Sequence, residues 1–133
     1  MSKFVPFEIS KKLKEKGYPQ LKKNTLAMYN EEGEWFSLAR NLDEFEYCFN
    51  DFDEHDCVAP TISQVLDWLR KLLEIDILPK IAISWCGNLN RIRLYSCNIY
   101  SPKLNKPIET EYFDSYEEAA LVGIEYVLDK ILL

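Results

Sequence analysis

Histidine and glycine are scarce in this chain, with one histidine, His55, and four glycines among 133 residues. Each scarcity removes a class of chemistry. Nucleophilic catalysis sets a serine or cysteine beside a base, usually histidine, that a third group orients. Cys57 stands two residues from His55, but that spacing alone does not bring two side chains into hydrogen-bond contact. With so few glycines there is no GxSxG nucleophile elbow, no P-loop and no GxGxxG dinucleotide motif. Also missing is any apolar run near the roughly 20 residues that span a membrane. The opening Met1-Ser2-Lys3-Phe4-Val5-Pro6 lacks the apolar core of a signal peptide, so a cytoplasmic location without membrane contact is expected.

Paired cysteines are absent as well. Cys48, Cys57, Cys86 and Cys97 are spaced 9, 29 and 11 apart, whereas zinc sites usually present ligands two to four residues apart. Cys86 and Cys97 fall in apolar, strand-like runs, where free cysteine behaves as a small hydrophobe. Reduced, buried thiols are expected, with no cofactor.

The charge that is present is unevenly spread. The net charge is −6, yet residues 1–23 carry seven lysines against Glu8 and Glu15. Residues 42–57 carry Asp43, Glu44, Glu46, Asp51, Asp53, Glu54 and Asp56 with no lysine or arginine. Phosphate neutralisation supplies most non-specific DNA affinity, so an acidic chain is not expected to bind duplex nucleic acid. The lysine-rich segment reads as a solvated helix face.

Apolar periodicity supplies the fold. Ala59-Pro60-Thr61 followed by Gln64 forms a capping-box signature, and Val65, Leu66, Leu69, Leu72 and Leu73 make one apolar stripe. A helix over about 61–75 follows, packed on a sheet. Residues 7–16 form a shorter helix stopped by Gly17. Residues 26–29 and 35–38 flank a polar connection suited to a hairpin, while 41–57 reads as an irregular loop anchored by Phe45, Tyr47, Phe49 and Phe52. Ile81, Ile83 and Trp85 alternate on one strand face, expected to be core, and a turn at 87–90 leads into a strand over 91–100. A third strand covers 108–113. Ser115 with Glu118 then caps a last helix, whose buried face is Ala119, Val122, Gly123, Tyr126, Val127 and Ile131. The order α-β-β-α-β-β-β-α, with short turns, predicts one α+β domain over 1–133: a mostly antiparallel sheet with its two long helices on one face.

Three segments carry a resemblance: Ile9-Ser10-Lys11-Lys12-Leu13-Lys14-Glu15-Lys16-Gly17-Tyr18, Ala59-Pro60-Thr61 with Trp68-Leu69-Arg70, and Phe113-Asp114-Ser115-Tyr116-Glu117-Glu118-Ala119. Together they resemble a group of small proteins from anaerobic gut bacteria and their phages or other mobile elements, a group with no assigned activity. The resemblance implies a phage or mobile-element setting and brings no catalytic residue.

The candidate site is the acidic, aromatic segment. Asp43, Glu44, Glu46, Asp51, Asp53, Glu54 and Asp56 have no countercharge among them, and Trp35 lies beside an acidic turn. An aromatic rimmed by charge is a common protein-contact feature, so a protein partner with a basic surface is expected. Two alternatives remain open. One is a small hydrolase or nuclease-like enzyme with a metal held by Asp51, Asp53 and His55; an EF-hand is excluded, because Asp56 and Ile62 occupy the positions that need Gly and Glu. The other is a phage-encoded inhibitor that mimics nucleic-acid charge.

Overall fold

Pro6 and Gly17 bracket the first helix, α1 (Phe7–Glu15). In the computed structural model, residues 3–20, 27–37, 56–86 and 90–132 are described, and the chain divides into two compact units, 2–61 and 62–133. Pro6 takes the N-cap position with extended backbone. Gly17 turns left-handed at φ +92°, and the Tyr18 N–H reaches back to the Leu13 carbonyl at 2.9 Å, a Schellman-type closure. Helix and stop stand where the sequence placed them. Ile9 and Leu13 are buried on one side.

The same unit holds β1 (Ala27–Tyr29), β2 (Trp35–Ser37) and β3 (Cys57–Val58), antiparallel in the order β2-β1-β3. In the β1–β2 connection the Asn30 side-chain oxygen accepts from the N–H groups of Glu32 and Glu34. Gly33 adopts φ +85°, and a Cβ there would sit 2.7 Å from a Phe7 ring carbon. The expected hairpin is therefore present. β3 is a correction, since 41–57 reads as a loop throughout. Two residues are too few to show a period, and their pairing with Tyr29 and Met28 depends on a partner remote in sequence.

In the second unit α2 (Ile62–Leu73) buries Ile62, Val65 and Leu69. Leu72, assigned to the stripe, is instead 67% exposed. Glu74, at φ +55°, then turns the chain into β4 (Asp76–Cys86). β4 pairs along its whole length with β5 (Asn90–Tyr100), and β6 (Ile108–Glu109) pairs with the other edge of β5. β6 is shorter than the expected 108–113, with Phe113 rejoining Tyr95 as an isolated bridge. Helix α3 (Tyr116–Tyr126) runs on into a π-helical segment, Val127–Ile131.

α3 packs on β4 and β5, and α2 packs on α3 and β4. The base of the sheet is core: Ile75, Ile77, Cys97 and Ile99 are buried, as are Ala119, Ala120, Gly123, Ile124, Val127, Leu128 and Ile131. Val122 and Tyr126 leave the expected buried face, the first exposed and the second half-buried, while Ala120, Ile124 and Leu128 take over. A second correction concerns the outer part of β4. Ile81 and Ile83 share the parity of buried Ile77 but are 54% and 51% exposed. Alternation fixes the face a residue lies on and leaves open how far a covering helix reaches along the strand. The chain is α+β with antiparallel sheets, and among the described residues no helix is long and apolar enough to cross a membrane.

Candidate functional site

Tyr29 is the middle of the first unit's sheet, with Trp35 opposite on β2 and Cys57 opposite on β3. Two strand spacings, about 10 Å, thus separate Trp35 from Cys57, and Asp56 precedes the latter. Tyr29 is held from below by its hydroxyl, which donates to the Val5 carbonyl at 2.7 Å, and by the Phe7 ring at 5.5 Å. The Ser10 hydroxyl donates to that carbonyl too, at 3.3 Å.

Trp35 is 48% exposed, yet its ring is not loose. Phe4 meets it edge-on with ring centres 5.4 Å apart, a favoured aromatic geometry. Phe4 is itself held by a backbone bridge to Thr61. The result is a large amphipathic ring with one side supported and the other in water.

Asp56 is half-buried, and its backbone carbonyl accepts from the Lys14 ammonium at 2.6 Å. The next residues are fixed by Gln20, whose side-chain oxygen accepts from the Val58 N–H at 2.9 Å. Lys14 therefore serves as a tie between α1 and β3, and Lys11 lies over the Phe7 ring at 5.1 Å. Of the acidic candidates Asp56 alone falls among the described residues. Asp43, Glu44, Glu46, Asp51, Asp53 and Glu54, with the alternative ligand His55, lie outside them.

The Cys57 and Cys97 thiols are poor nucleophiles. Burial pushes the Cys57 thiol up to about 11, helped by the Asp56 charge and opposed by the ammonium groups of Lys14 and Lys11. Burial alone pushes Cys97 to about 11. Both are free and buried, as the sequence leads one to expect of its cysteines. Among the described residues no three histidine, cysteine or acidic side chains stand together as a metal site.

One polar cluster in the second unit escapes sequence reading. Lys80 on β4 donates to the Glu109 carboxylate of β6 at 3.1 Å, and the Tyr112 hydroxyl donates to the same oxygen at 3.0 Å. Directly across from Lys80 is Ser96, whose buried hydroxyl has no hydrogen-bond partner among the described residues. A serine beside a lysine invites comparison with a Ser–Lys hydrolytic pair, which needs a lysine that gives up its proton near neutrality. The Glu109 hydrogen bond and charge hold the Lys80 ammonium above its ordinary range, so it is the wrong lysine for a base. The residues are 29 positions apart, and no spacing signal in the sequence joins them.

Compared with family models, with curated proteins and with solved structures, the chain matches none.

Proposed function

We propose that this chain is a non-enzymatic, cytoplasmic interaction protein that meets a basic surface of a partner protein through its acidic segment 43–56, with Trp35 as an aromatic contact. The observation that carries this reading is the state of Trp35, supported edge-on by Phe4 and still 48% exposed. An aromatic ring already ordered loses little conformational freedom on binding, which is why such residues concentrate binding energy. The uncompensated carboxylates of 43–56 supply the complementary charge. Burial of the Cys57 and Cys97 thiols and protonation of Lys80 weigh against nucleophilic chemistry at those positions. The resemblance of the three motif segments supports a phage or mobile-element setting for the partner.

The test is affinity capture from a cytosolic lysate across a salt series. A charge-steered partner is recovered at about 0.05 M salt and progressively lost as the Debye length shrinks from about 10 Å at 0.1 M. Recovery that does not change with salt contradicts the reading.

A further inference from the structure

The outer edge of β4 points to a second surface, which uses other residues than those proposed above. On β5, Tyr95 exchanges both backbone hydrogen bonds with Phe113, at 2.8 and 2.7 Å. The Cys97 carbonyl accepts from the Thr110 N–H, and the Cys97 N–H donates to the Thr110 hydroxyl. Tyr95 and Cys97 thus direct their backbone groups away from β4. Their cross-strand neighbours Ile81 and Pro79 must in turn direct theirs away from β5. The register runs unbroken from Asp76 to Cys86, so Ile83 and Trp85 follow the same alternation. β4 is an edge strand of this sheet, and these groups have no strand partner among the described residues.

Pro79 explains its own presence within a strand, because the N–H it lacks would have pointed outward. It also stops any added ladder at its position, leaving a window from Ile81 to Trp85. That window, Ile81-Ala82-Ile83-Ser84-Trp85, holds no charge, and its Ile81 and Ile83 side chains are more than half exposed. Native sheets usually blunt such an edge with charge or a bulge. Here Pro79 and Lys80 stand before the window, and the window itself carries neither charge nor proline.

We infer that the edge pairs with a second copy of this chain, β4 antiparallel to β4 about a two-fold axis at Ile83. That register sets Ile83 opposite Ile83 of the second copy and Ile81 opposite Trp85 of the second copy. It uses every outward N–H in the window and ends where Pro79 has none to give. Self-pairing brings no like charges together within the window. On β5 the cation Arg93 stands directly opposite Ile83. Arg93 and its symmetry mate stand three strand spacings apart, about 14 Å, which exceeds the Debye length of about 8 Å at physiological salt. A partner strand bearing acids would have to set them against an uncharged edge. A five-residue edge buries less than a standard interface, so the dimer is a weak one that forms with concentration.

Sedimentation of the full chain from about 10 µM to 1 mM tests this. The expected result is a rise in weight-average mass toward that of two chains. Ile83→Lys, which sets two like charges together on the axis, and Ile83→Pro, which removes only an outward N–H, should both remain monomeric with unchanged circular dichroism. Leu78→Lys, exposed but outside the window, should dimerise as the native chain does. Hydrogen exchange gives an independent reading: the Ile81 and Ile83 amides should gain protection with concentration, while Lys80 and Ala82 are protected throughout. A native chain that stays monomeric overturns the proposal. So does a dimer that survives both Ile83 substitutions, or loss of the dimer in Leu78→Lys.

Discussion

Gly123 of α3 lies so close to Ile77 of β4 that a Cβ on the glycine would sit 3.1 Å from the isoleucine Cγ2. The Cys97 Cβ lies just beyond, at 3.9 Å. Glycine within a helix costs about 1 kcal/mol relative to alanine, so this position gives up helix propensity for close approach of helix and sheet. Gly123→Ala regains that propensity but presses on a buried, β-branched side chain with little rotamer freedom. The expected outcome is a net loss of about 1 kcal/mol, seen as a lower urea midpoint. A higher midpoint would mean that Ile77 yields easily and the packing argument fails.

The Ser115 hydroxyl accepts from the Glu118 N–H at 3.1 Å and so satisfies one of the open donors at the start of α3. Ser115→Ala should cost about 1 kcal/mol. Thr61 stands immediately before α2, and Thr61→Ala should cost a similar amount. Urea midpoints measure both, and no shift in either variant would contradict the capping assignment.

Because the Cys57 and Cys97 thiols are pushed to about 11, the native state keeps protons that the unfolded chain releases from about pH 9 upward. The stability they contribute is fully present below the unfolded value and is lost as pH rises through the folded value. Unfolding midpoints measured between pH 8 and 11 should therefore fall, and fall less in a Cys57→Ala, Cys97→Ala double variant. In the native chain at pH 8 these two thiols should resist a disulfide reagent, and all four should react after denaturation without reductant. Rapid native reaction at Cys57 would contradict its burial.

The Ser96 hydroxyl, without a partner among the described residues, is a cost to the fold, since a buried polar group without a partner forfeits about 1–3 kcal/mol. Ser96→Ala should be neutral or stabilising in thermal unfolding. Marked destabilisation would mean that the hydroxyl has a partner it depends on.

Much of this fold is written in local signals. Gly17, Ser115 and the Asn30-to-Gly33 connection each act within a few residues, so the sequence displays them directly. Three features are non-local and stay hidden. β3 exists only because Tyr29 and Met28 offer it an edge. Pro79 looks like a strand breaker until the direction of its missing N–H is known. Ile81 and Ile83 alternate as core residues do, yet both are more than half exposed. Of the candidate site, the charge of 43–56 is plain from composition, whereas the support of Trp35 by Phe4 joins positions 31 residues apart and could be found only in the folded unit.

The central claim is binding of a basic partner through the acidic segment with Trp35 as a further contact, and quantitative affinity capture of variants tests it most directly. The native chain, Trp35→Ala and the triple variant Asp51→Asn, Asp53→Asn, Asp56→Asn are compared at about 0.1 M salt, with bound proteins measured by mass spectrometry. The expected result is one or more basic proteins recovered by the native chain and reduced at least tenfold in both variants, equivalent to about 1.4 kcal/mol of binding energy. Equal recovery by all three would contradict the account.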